Sequence, residues 1–218
     1  MIQTTKIIEQ EQKHFEEMQK EFEAKKVVLK ISSTDFKTLF ELQLNKIILS
    51  RNLNRRFEFT AENKEVINQI YYYCTGNAEK FNGILKKGIV LVGKNGVGKT
   101  LIIKAYCNII SLLTIKNVTQ IHAKKLYKMI ISQEEGYYEK RPLFIDDIGK
   151  EQKKINDYGT EILPIPDLLA LRYNNGALTF ATTNYNPETL EYFYGKTTTD
   201  RMKEMFNIIE LSGESFRK

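Results

Sequence analysis

The chain has 218 residues, enough for one core domain with an appendage. Its 33 Lys and Arg against 27 Asp and Glu give a formal charge of +6, which permits a nucleic-acid partner but is equally the mark of an ordinary Lys-rich surface. With two cysteines (Cys74, Cys107) and two histidines (His14, His122), composition excludes a disulfide framework and a zinc constellation and suits a reducing, cytoplasmic compartment.

Residues 5–30 read as a charged helix. Ile8, Phe15, Phe22 and Leu29 recur every seven residues, with Glu11, Met18 and Lys25 between them. A coiled coil wants both seams apolar. The pattern therefore predicts an amphipathic helix with a narrow apolar stripe, packed on its own domain or docked on a partner. The polar run 3–20 lacks the apolar core of a secretory leader. Residues 101–115 are too few, and too interrupted by Lys104 and Asn108, to span a membrane.

Ser32-Ser33-Thr34-Asp35 signals a second helix, running to about Asn52 and followed by the cluster Arg51, Arg55, Arg56. A third opens near Thr60, carries Val66, Ile67, Ile70 and Tyr71, and stops at Thr75-Gly76-Asn77, where glycine supplies the turn. The pattern then changes. Residues 88–92 form an apolar run suited to a buried strand. A helix is expected at 99–113, a strand at 119–122, a helix at 124–132, and strands at 143–145, 178–182 and 208–211. Strands alternating with helices predict an α/β fold, a parallel five-stranded sheet with helices on both faces.

Gly93-Lys94-Asn95-Gly96-Val97-Gly98-Lys99-Thr100 fits G-x-x-x-x-G-K-[ST], between a predicted strand and a helix that continues through Leu101. The glycines let consecutive N–H groups curl inward as an anion cradle at a helix N-terminus. Lys99 would reach the β- and γ-phosphates of ATP or a related triphosphate, and Thr100 would place its hydroxyl on Mg²⁺. Residues 142–147 are an apolar run ending in Asp146 and Asp147. Asp146 would hold Mg²⁺, and Asp147 would orient or deprotonate the attacking water. A small-molecule phosphotransferase would use the same loop.

The remaining segments carry a family resemblance. Phe144-Ile-Asp-Asp-Ile-Gly-Lys-Glu151 resembles the acidic motif of the DnaC-type helicase loaders and the IstB transposition ATPases. Leu178-Thr-Phe-Ala-Thr-Thr-Asn184 resembles their next strand, Asp200-Arg201-Met202 their arginine-finger box, and Gly213-Glu-Ser-Phe-Arg217 their closing G-x-S-x-R. These segments span residues ~88–218 in family order. The resemblance implies an AAA+ P-loop ATPase, with residues 79–218 as the ATPase domain and 1–78 as a helical partner-binding region. It assigns Asn184 to the attacking water or γ-phosphate, Arg201 to a neighbouring subunit's site and Arg217 to the γ-phosphate in cis. It further implies self-association, a replicative-helicase partner and, like the loaders, no helical lid after the last strand. Asp147 departs from the pattern, being one methylene shorter than the usual Glu.

Lys124, Lys125 and Lys128, with Tyr127 among them and Tyr137 and Tyr138 in an expected loop, suit single-stranded DNA. They suit a plain solvated helix face as well. An IstB-like accessory to a transposase, or a nucleotide-gated binding module with negligible turnover, would share this sequence pattern.

Overall fold

The computed structural model describes residues 2–24, 28–131, 135–157 and 159–216. Helix α1 spans Ile2–Ala24, shorter at its C-terminal end than the sequence pattern suggests. Ile7, Ile8, Phe15 and Met18 are all more than half exposed, so this part of its apolar stripe does not pack on the domain, whereas Leu29, beyond the helix, is buried in the core; the Phe22 side chain lies outside the described residues. Helix α2 (Ser33–Leu49) begins where Ser32 Oγ accepts from Asp35 N at 3.0 Å. Helix α3 (Ala61–Cys74) begins with a reciprocal cap. Thr60 Oγ1 accepts from Asn63 N, and Asn63 Oδ1 accepts from Thr60 N. Gly76, at φ +71°, turns the chain after α3.

Strand β1 (Gly88–Val92), helix α4 (Lys99–Leu113) and strand β2 (Thr119–His122) fall where the sequence predicts them. A 3₁₀ turn (Ala123–Lys125) precedes α5 (Leu126–Ile131), so Lys124 and Lys125 are not on one helix with Lys128. Tyr137 and Tyr138 lie in a short helix, α6 (Glu135–Lys140), rather than a loop. Strand β3 (Leu143–Ile148) continues through both aspartates. A hairpin, β4 (Ile155–Asp157) and β5 (Thr160–Ile162), leads to α7 (Pro164–Asn174). Strand β6 (Thr179–Thr183) is followed by α8 (Pro187–Met205), interrupted at Gly195, and by β7 (Phe206–Glu210), which starts two residues before the expected strand.

The main sheet runs β2-β3-β6-β1-β7, every neighbouring pair parallel. Alternation along β1 divides the core. Ile89 and Leu91 join a cluster with Phe36, Phe40 and Leu44 of α2, Ile67 and Ile70 of α3, and Ile102, Ile103 and Tyr106 of α4. Val90 joins the other cluster, with Ala181 of β6, Ile165 and Leu169 of α7, and Leu190 and Met202 of α8. Helices thus cover both faces, and the strands' C-terminal ends are left to build a site. Among the described residues no helix is long and apolar enough to cross a membrane.

Candidate active site

Residues 93–98 form the turn from β1 to α4, and Lys99 and Thr100 open the helix. Gly98 sits at φ +99° as the N-cap of α4 and offers no side chain to the helix's first N–H groups, which stay open to an anion. Gly96, at φ +86°, lies so close to the chain's end that a Cβ there would meet Ser215 Oγ at 2.0 Å. Lys94 and Asn95 are exposed at the apex, Val97 is buried beneath it and Leu101 is half-buried.

Lys99 is 5 % exposed. Its ammonium donates to the carbonyls of Gly93 and Lys94, each at 2.8 Å, and to Asn184 Oδ1 at 2.7 Å. Asn184 follows β6, and its Nδ2 is buried with no hydrogen-bond partner among the described residues. An unpaired buried donor is costly. Beside Lys99, it is suited to an anionic oxygen or a water. Thr100 Oγ1 donates to Asp146 Oδ1 at 2.6 Å, and Thr182 Oγ1 donates to the same oxygen at 2.7 Å.

Strict alternation along β3 would send Asp146 and Asp147 to opposite faces. The β3–β6 register shifts between Ile145 and Ile148, and Asp147 takes φ +59°. This bulge re-aims the second carboxylate, so that Asp147 lines the same pocket as Lys99, Thr100 and Asn184. Its N–H donates to Thr182 Oγ1 at 2.9 Å. His122, opposite Asp146 in the sheet register, places Nε2 3.6 Å from Asp147 Oδ2. Its Nδ1 accepts from Lys124 N at 3.2 Å, which leaves the proton of a neutral ring on Nε2. Sequence reasoning missed His122 as a site residue; its position as the last residue of a strand neighbouring β3 was the available signal. A larger cavity, of about 510 Å³, opens at the other end of the sheet beside Tyr73, Gly88 and Tyr173 and contains none of these groups.

No family model matches the sequence, and no curated protein matches it. Solved structures do. A DnaC helicase loader aligns over 73 % of this chain and 95 % of its own at 20 % identity and a TM-score of 0.56. A primosome component, described as putative, from Streptococcus pyogenes serotype M3 aligns over 72 % and 84 % at 22 % identity and 0.55. AMPPCP-bound DnaA from Aquifex aeolicus aligns over 72 % of this chain and 49 % of its own at 15 % identity and 0.52. The chain shares the fold of these structures, a parallel five-stranded sheet flanked by helices.

Arg201 lies apart from the pocket. It is on α8, just before β7 enters the sheet beside Gly88, whereas the pocket lies beyond the opposite end of β1. Its guanidinium is 5.9 Å from the Tyr173 ring, and the Tyr173 hydroxyl donates to Glu204 Oε2 at 2.6 Å. The chain's end does reach the pocket. Leu211 N donates to Val92 O at 2.8 Å, and Phe216 N to Gly96 O at 3.1 Å. Arg55 Nη1 donates to Phe216 O at 2.5 Å, so the segment is tied to the chain ahead of α3. Arg217 lies outside the described residues.

Among the described residues no group of three His, Cys, Asp or Glu could cage a metal. A hydroxyl and one carboxylate, Thr100 and Asp146, suit Mg²⁺, which keeps its waters and takes phosphate oxygens.

Proposed function

We propose that the chain binds Mg-ATP and hydrolyses it as a helicase-loader-type AAA+ ATPase in DNA replication. Its partners would be single-stranded DNA, a replicative helicase and further copies of itself. The observation that carries this reading is the convergence of Lys99, Thr100, Asp147 and Asn184 on one pocket at the strands' C-terminal ends, with Asp146 buried behind it and bonded to Thr100. Likeness to a helicase loader and a DNA replication initiation factor supports the process.

Lys99 exchanges the Gly93 and Lys94 carbonyls for phosphate oxygens. Thr100 and Asp146 hold Mg²⁺, which neutralises phosphate charge when bound. Asp147 accepts a proton from, or orients, the attacking water, and Asn184 Nδ2 donates to that water or to the γ-phosphate. Arg217 contacts the γ-phosphate in cis. Arg201 cannot serve its own pocket and enters a neighbour's, where such a group is worth ~10³–10⁵ in rate. Within residues 1–78, the exposed stripe of α1 is the helicase contact.

Arg201→Ala is expected to lower steady-state phosphate release at least 100-fold while leaving the calorimetric ATP affinity intact. Mixing Arg201→Ala with Asp147→Asn should restore part of the activity, because one mixed interface pairs an intact finger with an intact carboxylate. Wild-type turnover in Arg201→Ala would remove the shared site. No turnover in the wild type, with ATP bound, would leave a nucleotide-gated binding module.

A further inference from the structure

The connection leaving β3 is clamped to α8. Glu151 is buried, and it accepts from Gly149 N at 2.8 Å and from the Tyr194 hydroxyl. Burial, with the Glu151 charge behind it, pushes that hydroxyl far above its usual range. The Tyr185 ring lies so near Gly149 that a Cβ would come within 2.5 Å of it. Loop and helix therefore share one edge.

That edge is aromatic and basic. Tyr185 and Phe193 meet edge-on at 5.1 Å, and Phe193 lies 5.8 Å from Tyr192. Lys153 Nζ stands 3.4 Å from the Phe193 ring centre and Lys150 Nζ 5.3 Å from that of Tyr185. Tyr192 is 86 % exposed, so core packing does not explain it. Lys124 and Lys125 follow β2, the strand beside β3, and Lys150, Lys153 and Lys154 follow β3 itself. The one acid among residues 149–154, Glu151, is consumed by the clamp. Lys154 pairs with Glu161, and Glu188 and Glu191 temper the charge along α8.

The geometry points to a docking platform for single-stranded DNA at Lys150, Lys153, Tyr185, Tyr192 and Phe193. The open Tyr192 ring and its aromatic neighbours stack unpaired bases, and Lys150 and Lys153 hold phosphates, with Lys124 and Lys125 extending the track. Rings on an exposed edge suit splayed bases, which a duplex does not present. The assignment rests on the reading of single-stranded DNA as a partner and gives that partner a place. It also gives DNA a route to the chemistry. Lys150 is three residues after Asp147, and Tyr185 directly follows Asn184, so a bound strand bears on both groups at the pocket's water-facing side.

The test is fluorescence anisotropy of a labelled oligo-dT of about 20 nucleotides with the full chain and ATP. Tyr192→Ala should weaken binding about tenfold, and Tyr192→Phe should not, because the ring and not the hydroxyl is used. Lys150→Glu/Lys153→Glu should lower the slope of log K against log salt by about 1.4, at ~0.7 per lost phosphate contact. Calorimetric ATP affinity, unchanged in each variant, shows that the fold is intact. If the wild type binds the oligonucleotide and both Tyr192→Ala and the Lys double variant bind it equally well, the platform is wrong while the DNA partner stands. A wild type that binds no oligonucleotide removes both. Loss of self-association by Tyr192→Ala in sedimentation, with DNA affinity kept, would make the edge a protein contact and overturn the assignment.

Discussion

Lys99→Ala is expected to weaken ATP binding by ~10²–10⁴-fold, measured by calorimetry. The ammonium is buried at the foot of the loop and already holds three oxygens in a fan, two from the loop and one from Asn184. A triphosphate replaces the two carbonyls with charged oxygens, and each charge-assisted hydrogen bond contributes ~1.5–3 kcal/mol. Two of them give the stated range. The substitution also leaves Asn184 Oδ1 without its donor, so the amide is free to rotate away from the pocket. Lys99→Arg should recover little, because a planar fork does not fit a pocket built around a point charge. ATP affinity within threefold of wild type in Lys99→Ala would falsify the site.

The largest expected loss of stability is at Arg172, on a residue with no part in the chemistry. Its side chain is fully buried near the C-terminal end of α7. Nε donates to Thr179 Oγ1 at 2.9 Å, Nη2 to Leu178 O at 2.7 Å and to Arg141 O at 3.1 Å, and Nη1 to Tyr138 O. One guanidinium thus ties α7 to the approaches of β6 and β3 and to α6. Burial lowers its pKa to about 10, so it keeps its charge at neutral pH. Arg172→Leu removes four hydrogen bonds from a buried site, where each lost bond costs ~1–3 kcal/mol. The expected cost is about 3–5 kcal/mol, or roughly 10 °C in Tm for a chain of this size. Arg172→Lys should recover little, since three donors on one atom cannot span four acceptors. Thermal melting followed by circular dichroism checks this, and a Tm within 2 °C of wild type for Arg172→Leu would refute it.

The two substitutions mark what the sequence made legible. Lys99 sits in a motif whose glycines and flanking apolar run also fix β1 and α4 to the residue. Arg172 has no such sign, because arginine is rarely buried and its acceptors are mostly backbone carbonyls. Helices α7 and α8 were hidden for other reasons. Proline commonly marks a loop, yet Pro164 and Pro166 fall in the first turn of α7. Gly195 interrupts α8 and blurs its period, and β7 follows α8 with no turn residue between them. At the site, the pair Asp146-Asp147 was visible, but the bulge that turns Asp147 into the pocket while Asp146 stays bonded to Thr100 was not. The approach of His122 to Asp147 and the clamp of Glu151 on Tyr194 depend on strand order and on side chains far apart in sequence.

Asp147 occupies a left-handed backbone conformation, which disfavours any residue with a Cβ by about 1 kcal/mol or more. Glycine there would relieve that strain and remove a carboxylate beside Asp146. Asp147→Gly is therefore expected to melt a few degrees above wild type. Heat resistance and turnover would then pull this position in opposite directions. A lineage screened only for durability would drift toward glycine at 147 and yield a sturdier protein with a silent site.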